Sequence, residues 1–241
     1  MFSNGCAGQS ASIVVTAGFL VRRPNFMPLR AVIFDYGLVL SGPPEPGARA
    51  RLLEISGLSP EIFDAHYWKY RLDYDRGTLN GHTYWPTIAR DTGVSLSPEQ
   101  IEALIEQDVL LWATVDPIML EWVNRVRASG MKTAILSNMG QALLAYMREN
   151  FGWLDRFHHL TWSCELNLIK PMAAIYEHTL EKLNVLADEA LFLDDRLENV
   201  EGARAVGIHS LLFRGVHHLQ EDLQREGLAS QVPPIFRALG N

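Results

Sequence analysis

Short, wholly apolar runs alternate with segments of helical periodicity along most of the chain. The runs cover residues 31–34, 133–136, 190–193 and 210–213, with a weaker run at 159–162. Such runs are typical of parallel strands that are buried on both faces. Apolar residues at helical spacing predict helices over 119–129, 142–150, 173–183 and 197–206. The alternation predicts an α/β fold, a Rossmann-like parallel sheet with helices on both faces.

Residues 43–114 interrupt this alternation, because they contain helical patterns but no strand pattern. They open on a stretch rich in proline and glycine, and helices are predicted over 48–56, 60–74, 82–92 and 98–113. Ser59 and Ser97 each precede a Pro-Glu pair, a strong helix start. We therefore expect a helical cap domain at 43–114, inserted into a core made of residues 27–42 and 115–241.

The first 26 residues differ from the rest of the chain. Their apolar run at 11–21 is too short to span a bilayer, which requires about 20 residues. The basic pair comes after this run, whereas a signal peptide has its basic residues before the apolar run. We expect a disordered or extra N-terminal tail and no membrane partner.

Composition narrows the classes of function that remain. The chain has 241 residues, is 48% hydrophobic and 20% charged, and carries a formal net charge of −7, values that are ordinary for a globular protein. No cluster of lysine and arginine is present, so nucleic acid is not an expected partner. Two cysteines provide no disulfide framework, and a cytoplasmic protein, monomeric or homodimeric, is predicted.

Acidic residues follow two of the predicted strands. Asp35 comes directly after the first run, and Asp194 and Asp195 follow the run at 190–193. Because the carboxyl ends of parallel strands meet at one edge of the sheet, these carboxylates need a cation between them. Oxygen ligands without histidine or cysteine favour Mg²⁺, and a free carboxylate beside that ion can act as a nucleophile.

Three further polar residues lie at the same predicted edge. Ser137 and Asn138 end the second run, and Lys170 follows the weaker one. The hydroxyl and the amide can hydrogen-bond a tetrahedral oxyanion, and the lysine can neutralise its charge. Together with the carboxylates, these residues indicate phosphoryl transfer.

This arrangement resembles the haloacid dehalogenase superfamily of hydrolases. The motifs that carry the resemblance are Phe34-Asp35-Tyr36-Gly37-Leu38-Val39-Leu40, Leu136-Ser137-Asn138, Ile169-Lys170-Pro171 and Leu193-Asp194-Asp195-Arg196-Leu197-Glu198-Asn199. Within the superfamily, the chain is most similar to the group that holds α-D-glucose-1-phosphate phosphatase and the N-terminal phosphatase domain of soluble epoxide hydrolase.

The resemblance implies a role for each matching residue. Asp35 is expected to be the nucleophile and Lys170 to bridge it to the phosphate, which Ser137 and Asn138 hold. The expected metal site consists of Asp35, the backbone carbonyl of Gly37, Asp194 and Asp195, with Asn199 in support. The implied activity is Mg²⁺-dependent hydrolysis of a small phosphomonoester, such as a sugar phosphate, through an aspartyl-phosphate.

One position departs from the superfamily pattern. Gly37 stands where most of these phosphatases carry a second aspartate, the general acid for the leaving group. Two alternatives therefore stay open. One is a 2-haloacid dehalogenase, although the pair Asp194-Asp195 disfavours a carboxylate substrate. The other is a non-catalytic protein that binds a phosphorylated metabolite.

The predicted cap is rich in aromatic residues, which permit two interpretations. They are Tyr67, Trp68, Tyr70, Tyr74, Tyr84, Trp85 and Trp112. With Arg71, Asp73, Asp75 and His82 among them, they can stack on a sugar ring and bond its hydroxyls. Alternatively, they fill the core of the cap itself.

Overall fold

A computed structural model describes residues 27–236, so the tail predicted at 1–26 lies outside the described residues. The elements are β1 (Ala31–Phe34), α1 (Pro46–Ser56), α2 (Pro60–Lys69), α3 (Arg71–Arg76), α4 (Gly81–Thr92), α5 (Pro98–Trp112), α6 (Pro117–Ala128), β2 (Lys132–Ser137), α7 (Gln141–Asn150), β3 (His159–Trp162), α8 (Ser163–Leu166), α9 (Ala173–Leu183), β4 (Ala190–Asp194), α10 (Leu197–Ala205), β5 (His209–Leu212) and α11 (Val216–Arg225). Short 3₁₀ helices cover Gly152–Arg156 and Ala187–Glu189.

The five strands form one parallel sheet in the order β3-β2-β1-β4-β5. Successive side chains of β1 point to opposite faces. Val32 and Phe34 pack with α6, α7 and α11, whereas Ala31 and Ile33 pack with α9 and α10. Both faces of the sheet are therefore covered by helices, and the predicted fold class is confirmed.

Helices α1–α5, here called the helical insert, surround a third hydrophobic cluster of their own. Phe63, Tyr67, Tyr84 and Trp85 are all buried in it. Ring stacking and edge contacts connect these side chains, with Tyr84 and Trp85 centroids 5.0 Å apart. Of the aromatic residues singled out in the predicted cap, the interpretation as core of the insert therefore holds for Tyr67, Tyr74, Tyr84 and Trp85.

The helical insert contacts the rest of the protein near the carboxyl ends of the strands. The Ser163 hydroxyl, just after β3, donates to the backbone carbonyl of Asp75 in α3 and accepts from the backbone N–H of Met139 at 2.8 Å. Gly77 lies so close to α8 that an added Cβ would be 2.7 Å from the carbonyl oxygen of Cys164. The insert therefore covers the edge of the sheet where the predicted site residues lie.

Most predicted helices are confirmed within two residues at each end, and one prediction is wrong. The single helix expected over 60–74 is two helices, because the backbone leaves helical geometry at Tyr70, with φ −105° and ψ 1°. Ser59 and Ser97 do accept hydrogen bonds from the backbone N–H groups of Ile62 and Gln100, as N-caps. Among residues 27–236, no helix combines the length and apolar character that crossing a bilayer requires.

Candidate active site

Asp35 and Asp194 emerge side by side from the two central strands. Phe34 pairs with Leu193 in the register of β1 with β4, and the backbone N–H of Asp35 donates to the Leu193 carbonyl at 2.9 Å. Each of the three acids, Asp35, Asp194 and Asp195, has a carboxyl oxygen that lies within 4.8 Å of a carboxyl oxygen of the other two. The structure thus brings together the three acids that the sequence predicted at one edge.

Lys170 lies between two of these acids. Its Nζ is 2.8 Å from Asp35 Oδ1 and 2.6 Å from Asp194 Oδ2, and its side chain is only 1% exposed. Burial alone would lower the pKa of Lys170, but Asp194 and Asp35 raise it above its usual value. The lysine is therefore charged and bridges the ends of β1 and β4.

A single lysine leaves the three carboxylates with excess negative charge. Burial, opposed by Lys170 and reinforced by the neighbouring carboxylates, raises the pKa of Asp35 to about 7. Burial and the charge of Asp194 raise the pKa of Asp195 to about 6. Because burial disfavours the ionised form of both acids and one lysine faces three carboxylates, a further cation would stabilise the ionised acids.

Asn199, from the first turns of α10, orients Asp194. Its Nδ2 donates to Asp194 Oδ1 at 3.0 Å and to Oδ2 at 3.1 Å. The backbone N–H of Arg196 adds a bond of 2.9 Å to Oδ1, and Tyr176 donates to the carbonyl of Asn199 at 2.8 Å. Asp194 is therefore held by a set of hydrogen bonds as well as by Lys170.

Ser137 and Asn138 lie at the end of β2, on the other side of Asp35. Both line the cavity that contains Asp35. The Asn138 side chain uses both of its polar atoms on the backbone of Lys170: Oδ1 accepts from its N–H at 2.8 Å, and Nδ2 donates to its carbonyl at 3.1 Å. The sequence did not predict this pairing.

The cavity lies between the strand ends and the helical insert and has a volume of about 530 Å³. Asp35, Ser137 and Lys170 line it on the side of the sheet, and Trp68 and Trp112 line it on the side of the insert. These two are the aromatic residues of the predicted cap that reach the cavity. Of the polar residues expected beside them, Asp73 and His82 do not line it, and His82 pairs with Glu102 on the exposed surface.

Gly37 also lines the cavity, where the superfamily pattern has its second acid. Apart from its two chain neighbours, no residue has an atom within 4 Å of a Cβ built at Gly37. The neighbouring Tyr36 does not fill this place, because its buried hydroxyl donates to the carbonyl of Trp112 at 2.7 Å and burial raises its pKa. The position of the expected acid is therefore open space.

The insert side of the cavity contains a buried charge cluster that was not predicted from the sequence. Arg71 donates from Nε to Asp75 at 2.9 Å and from Nη1 to Asp108 at 3.0 Å, and Tyr67 donates to Asp108 at 2.6 Å. The i, i+4 spacing of Arg71 and Asp75 is a local signal for a pair. Asp108 lies on α5, and no local pattern connects it to Arg71.

Comparison with proteins of known function identifies several relatives. Acyl-CoA dehydrogenase family member 10 of Mus musculus is 34% identical over 199 residues, which cover 76% of this chain and 18% of that protein. Sesquiterpene phosphatase astK of Aspergillus oryzae is 26% identical, with coverage of 76% and 88%. Bifunctional epoxide hydrolase 2 of Rattus norvegicus is 28% identical, with coverage of 83% and 39%. The chain thus spans less than half of the first and the third.

Solved structures share the fold. HAD family enzyme BT-2542 of Bacteroides thetaiotaomicron has a TM-score of 0.67 at 18% identity, covering 80% of this chain and 99% of that one. The wild-type form of that enzyme has also been solved with magnesium and inorganic phosphate, with a TM-score of 0.60. L-2-haloacid dehalogenase RSc1362 has a TM-score of 0.63 at 19% identity, with coverage of 78% and 87%.

In addition to these individual proteins, a model of a whole protein family matches the chain. The model describes a haloacid dehalogenase-like hydrolase and matches residues 48–207, which is more than half of the chain. The resemblance found in the motifs is thereby confirmed: the chain belongs to the haloacid dehalogenase-like hydrolase family.

Proposed function

We propose that this hydrolase cleaves a small phosphomonoester, with Mg²⁺ as cofactor and an aspartyl-phosphate on Asp35 as intermediate. The observation that carries the proposal is the Lys170 ammonium, held 2.8 Å from Asp35 Oδ1 and 2.6 Å from Asp194 Oδ2 at the edge of a cavity. A charged lysine on a buried carboxylate suits the binding of a phosphoryl group, because it offsets the charge of both.

The acids at this edge have the chemistry of an Mg²⁺ site. All of their donor atoms are oxygens and lie close together, and burial, reinforced by the neighbouring carboxylates, raises the pKa of Asp35 and Asp195. Asp35, Asp195 and the backbone carbonyl of Gly37 would hold the ion, with Asp194 supporting the ion or Lys170. When bound, Mg²⁺ neutralises negative charge on the phosphoryl oxygens. The magnesium and phosphate bound by BT-2542 support this assignment.

The chain's own residues then act in two stages. In the first, an oxygen of Asp35 attacks phosphorus, the bond from phosphorus to the alcohol oxygen breaks, and Asp35 carries the phosphoryl group as an acyl phosphate. In the second, water hydrolyses this acyl phosphate, releasing inorganic phosphate and restoring the carboxylate. Throughout, the Ser137 hydroxyl and the backbone N–H of Asn138 donate to phosphoryl oxygens, while Lys170 keeps the nucleophile oriented.

Gly37 supplies no proton to the leaving alcohol. In this proposal the alcohol oxygen takes its proton from water, so substrates with a more acidic alcohol react faster. The loss of rate caused by the missing proton donor is smaller for a sugar 1-phosphate than for a simple alkyl phosphate, because the alcohol of the sugar 1-phosphate is the more acidic. A sugar phosphate, the example that the resemblance implies, stays a prediction that a substrate panel tests.

The test is phosphate release from a panel of phosphomonoesters, with 2-chloropropionate included, in the presence of Mg²⁺ or EDTA. We expect phosphate release that EDTA and the variant Asp35→Asn abolish. Asp188→Asn is the matched control, because Asp188 is an exposed aspartate just before β4, at the opposite end of the strand from Asp194. Chloride release that survives EDTA, or the absence of any turnover, would contradict the proposal.

A further inference from the structure

Leu38 has a backbone conformation that is unfavourable for leucine. Its φ is +55°, in the left-handed region, where only glycine is free of steric cost. It lies three residues after Asp35, lines the same cavity, and is 40% exposed. The fold therefore maintains a strained, half-exposed leucine beside the proposed nucleophile.

The turn that contains Leu38 fixes this conformation. The backbone N–H groups of Leu40 and Ser41 both donate to the carbonyl of Tyr36, at 3.0 and 2.7 Å. The N–H of Leu38 donates to Ser41 Oγ at 2.8 Å, and the next residue, Val39, is fully buried. A glycine at position 38 would satisfy the same backbone bonds without strain, so the turn does not require a leucine.

Two other large, exposed apolar side chains line the same cavity as Leu38. Trp68 is 52% exposed and Leu72 is 47% exposed, and both come from the helical insert opposite the strand ends. The charged residues on that side, Arg71 and Asp75, bond to each other at 2.9 Å. The part of the cavity away from Lys170 therefore presents apolar surface where a sugar would need partners for its hydroxyls.

We propose that Leu38 is a specificity-determining residue, and that the alcohol part of the substrate is a hydrocarbon chain or ring. This inference rests on the proposed phosphomonoester hydrolysis and names its substrate class. Leu38, Trp68 and Leu72 bind the hydrocarbon, while Lys170 and the strand ends hold the phosphate. The apolar contact accounts for a leucine at a position whose backbone favours glycine.

The test compares ethyl, butyl, hexyl and octyl phosphate with glucose 1-phosphate, at concentrations below micelle formation and with Mg²⁺. For the wild type we expect kcat/KM to rise roughly two- to fourfold per added methylene until the cavity is filled. Octyl phosphate should exceed glucose 1-phosphate. Leu38→Gly and Leu38→Asn should flatten this dependence on chain length without lowering Tm, because both residues tolerate a positive φ.

Asn184→Gly is the matched control. Asn184 also has a positive φ, of 49°, and lies on the exposed end of α9 outside the cavity lining. Its replacement should leave the chain-length dependence unchanged. Release of phosphate with no dependence on chain length, a preference for glucose 1-phosphate, or a lower Tm in both Leu38 variants would overturn the inference alone.

The absence of phosphate release from every ester would instead overturn the proposed hydrolysis. In that case, the apolar surface formed by Leu38, Trp68 and Leu72 is still tested by comparing the rise in Tm of the wild type with octyl phosphate and with ethyl phosphate. Equal shifts would contradict it, and a larger shift with octyl phosphate would support it.

Discussion

Asn138 and Lys170 form two reciprocal hydrogen bonds, between the amide side chain of the first and the backbone N–H and carbonyl of the second, at 2.8 and 3.1 Å. The pair connects the end of β2 with the turn that carries the buried lysine. Asn138 thus positions Lys170, and Asp35 and Asp194 balance its charge.

The variant Asn138→Asp should separate positioning from folding. It keeps the acceptor for the Lys170 N–H but loses the donor and turns an oxygen toward the Lys170 carbonyl. We expect kcat to fall roughly 10- to 100-fold, because a small displacement of Lys170 misaligns the nucleophile, with a loss of about 1–3 kcal/mol in the free energy of unfolding. Asn150→Asp is the control, since exposed Asn150 makes the same kind of bond to the Tyr146 carbonyl, at 2.9 Å. An unchanged kcat would contradict a positioning role for Asn138.

The buried charge cluster of the insert predicts a specific pattern of stability. Asp108→Asn removes one of the two carboxylates that neutralise Arg71, and should lower the free energy of unfolding by roughly 2–3 kcal/mol, measured with denaturant. Asp73→Asn, which affects an exposed pair with Arg76 at 3.9 Å, should cost less than about 0.5 kcal/mol. Equal losses in the two variants would mean that the buried cluster contributes nothing beyond a surface pair.

Gly37→Asp should increase the rate with poor leaving groups. A side chain has room at this position, and an acid there can protonate the departing alcohol. We expect kcat for ethyl phosphate to rise roughly 10- to 100-fold, with little change for p-nitrophenyl phosphate, whose leaving group needs no proton. Gly37→Asn has nearly the same shape without the acid and should give no rise. A rise with asparagine, or none with aspartate, would show that proton donation does not limit this enzyme.

Gly202, in α10, lies against the turn that follows Lys170. An added Cβ would be 2.7 Å from Pro171 Cβ and 2.9 Å from the Pro171 carbonyl oxygen. Replacing a glycine within a helix by alanine usually stabilises a protein, but Gly202→Ala should lower both Tm and kcat because the turn must shift. Gly152→Ala is the control, since its Cβ meets nothing within 4 Å. A stabilised, fully active Gly202→Ala variant would disprove this close contact.

Much of this molecule was predictable because its signals are local. The apolar runs located β1 and β3 at the residues where the structure has them. Asp35 and Asp195 directly follow strands and Asp194 ends one, whereas Lys170 comes after the short helix α8. The pairing of Asn138 with Lys170 was not predictable, since it depends on how the turn after β3 approaches the end of β2. The break at Tyr70 was missed for a similar reason: residues 60–74 contain no helix-breaking residue after Pro60, and packing of the insert decides where the helix ends.

Two hydrogen bonds hold the segment that follows α11. Leu29, just before β1, donates its backbone N–H to Gln231 Oε1 at 2.8 Å, and α6 holds the chain beyond it through a bond from Trp122 Nε1 to the Pro233 carbonyl, also at 2.8 Å. The segment after α11 is thereby fastened both to the residue that leads into β1 and to α6, so losing these bonds would loosen the start of the strand that carries Asp35.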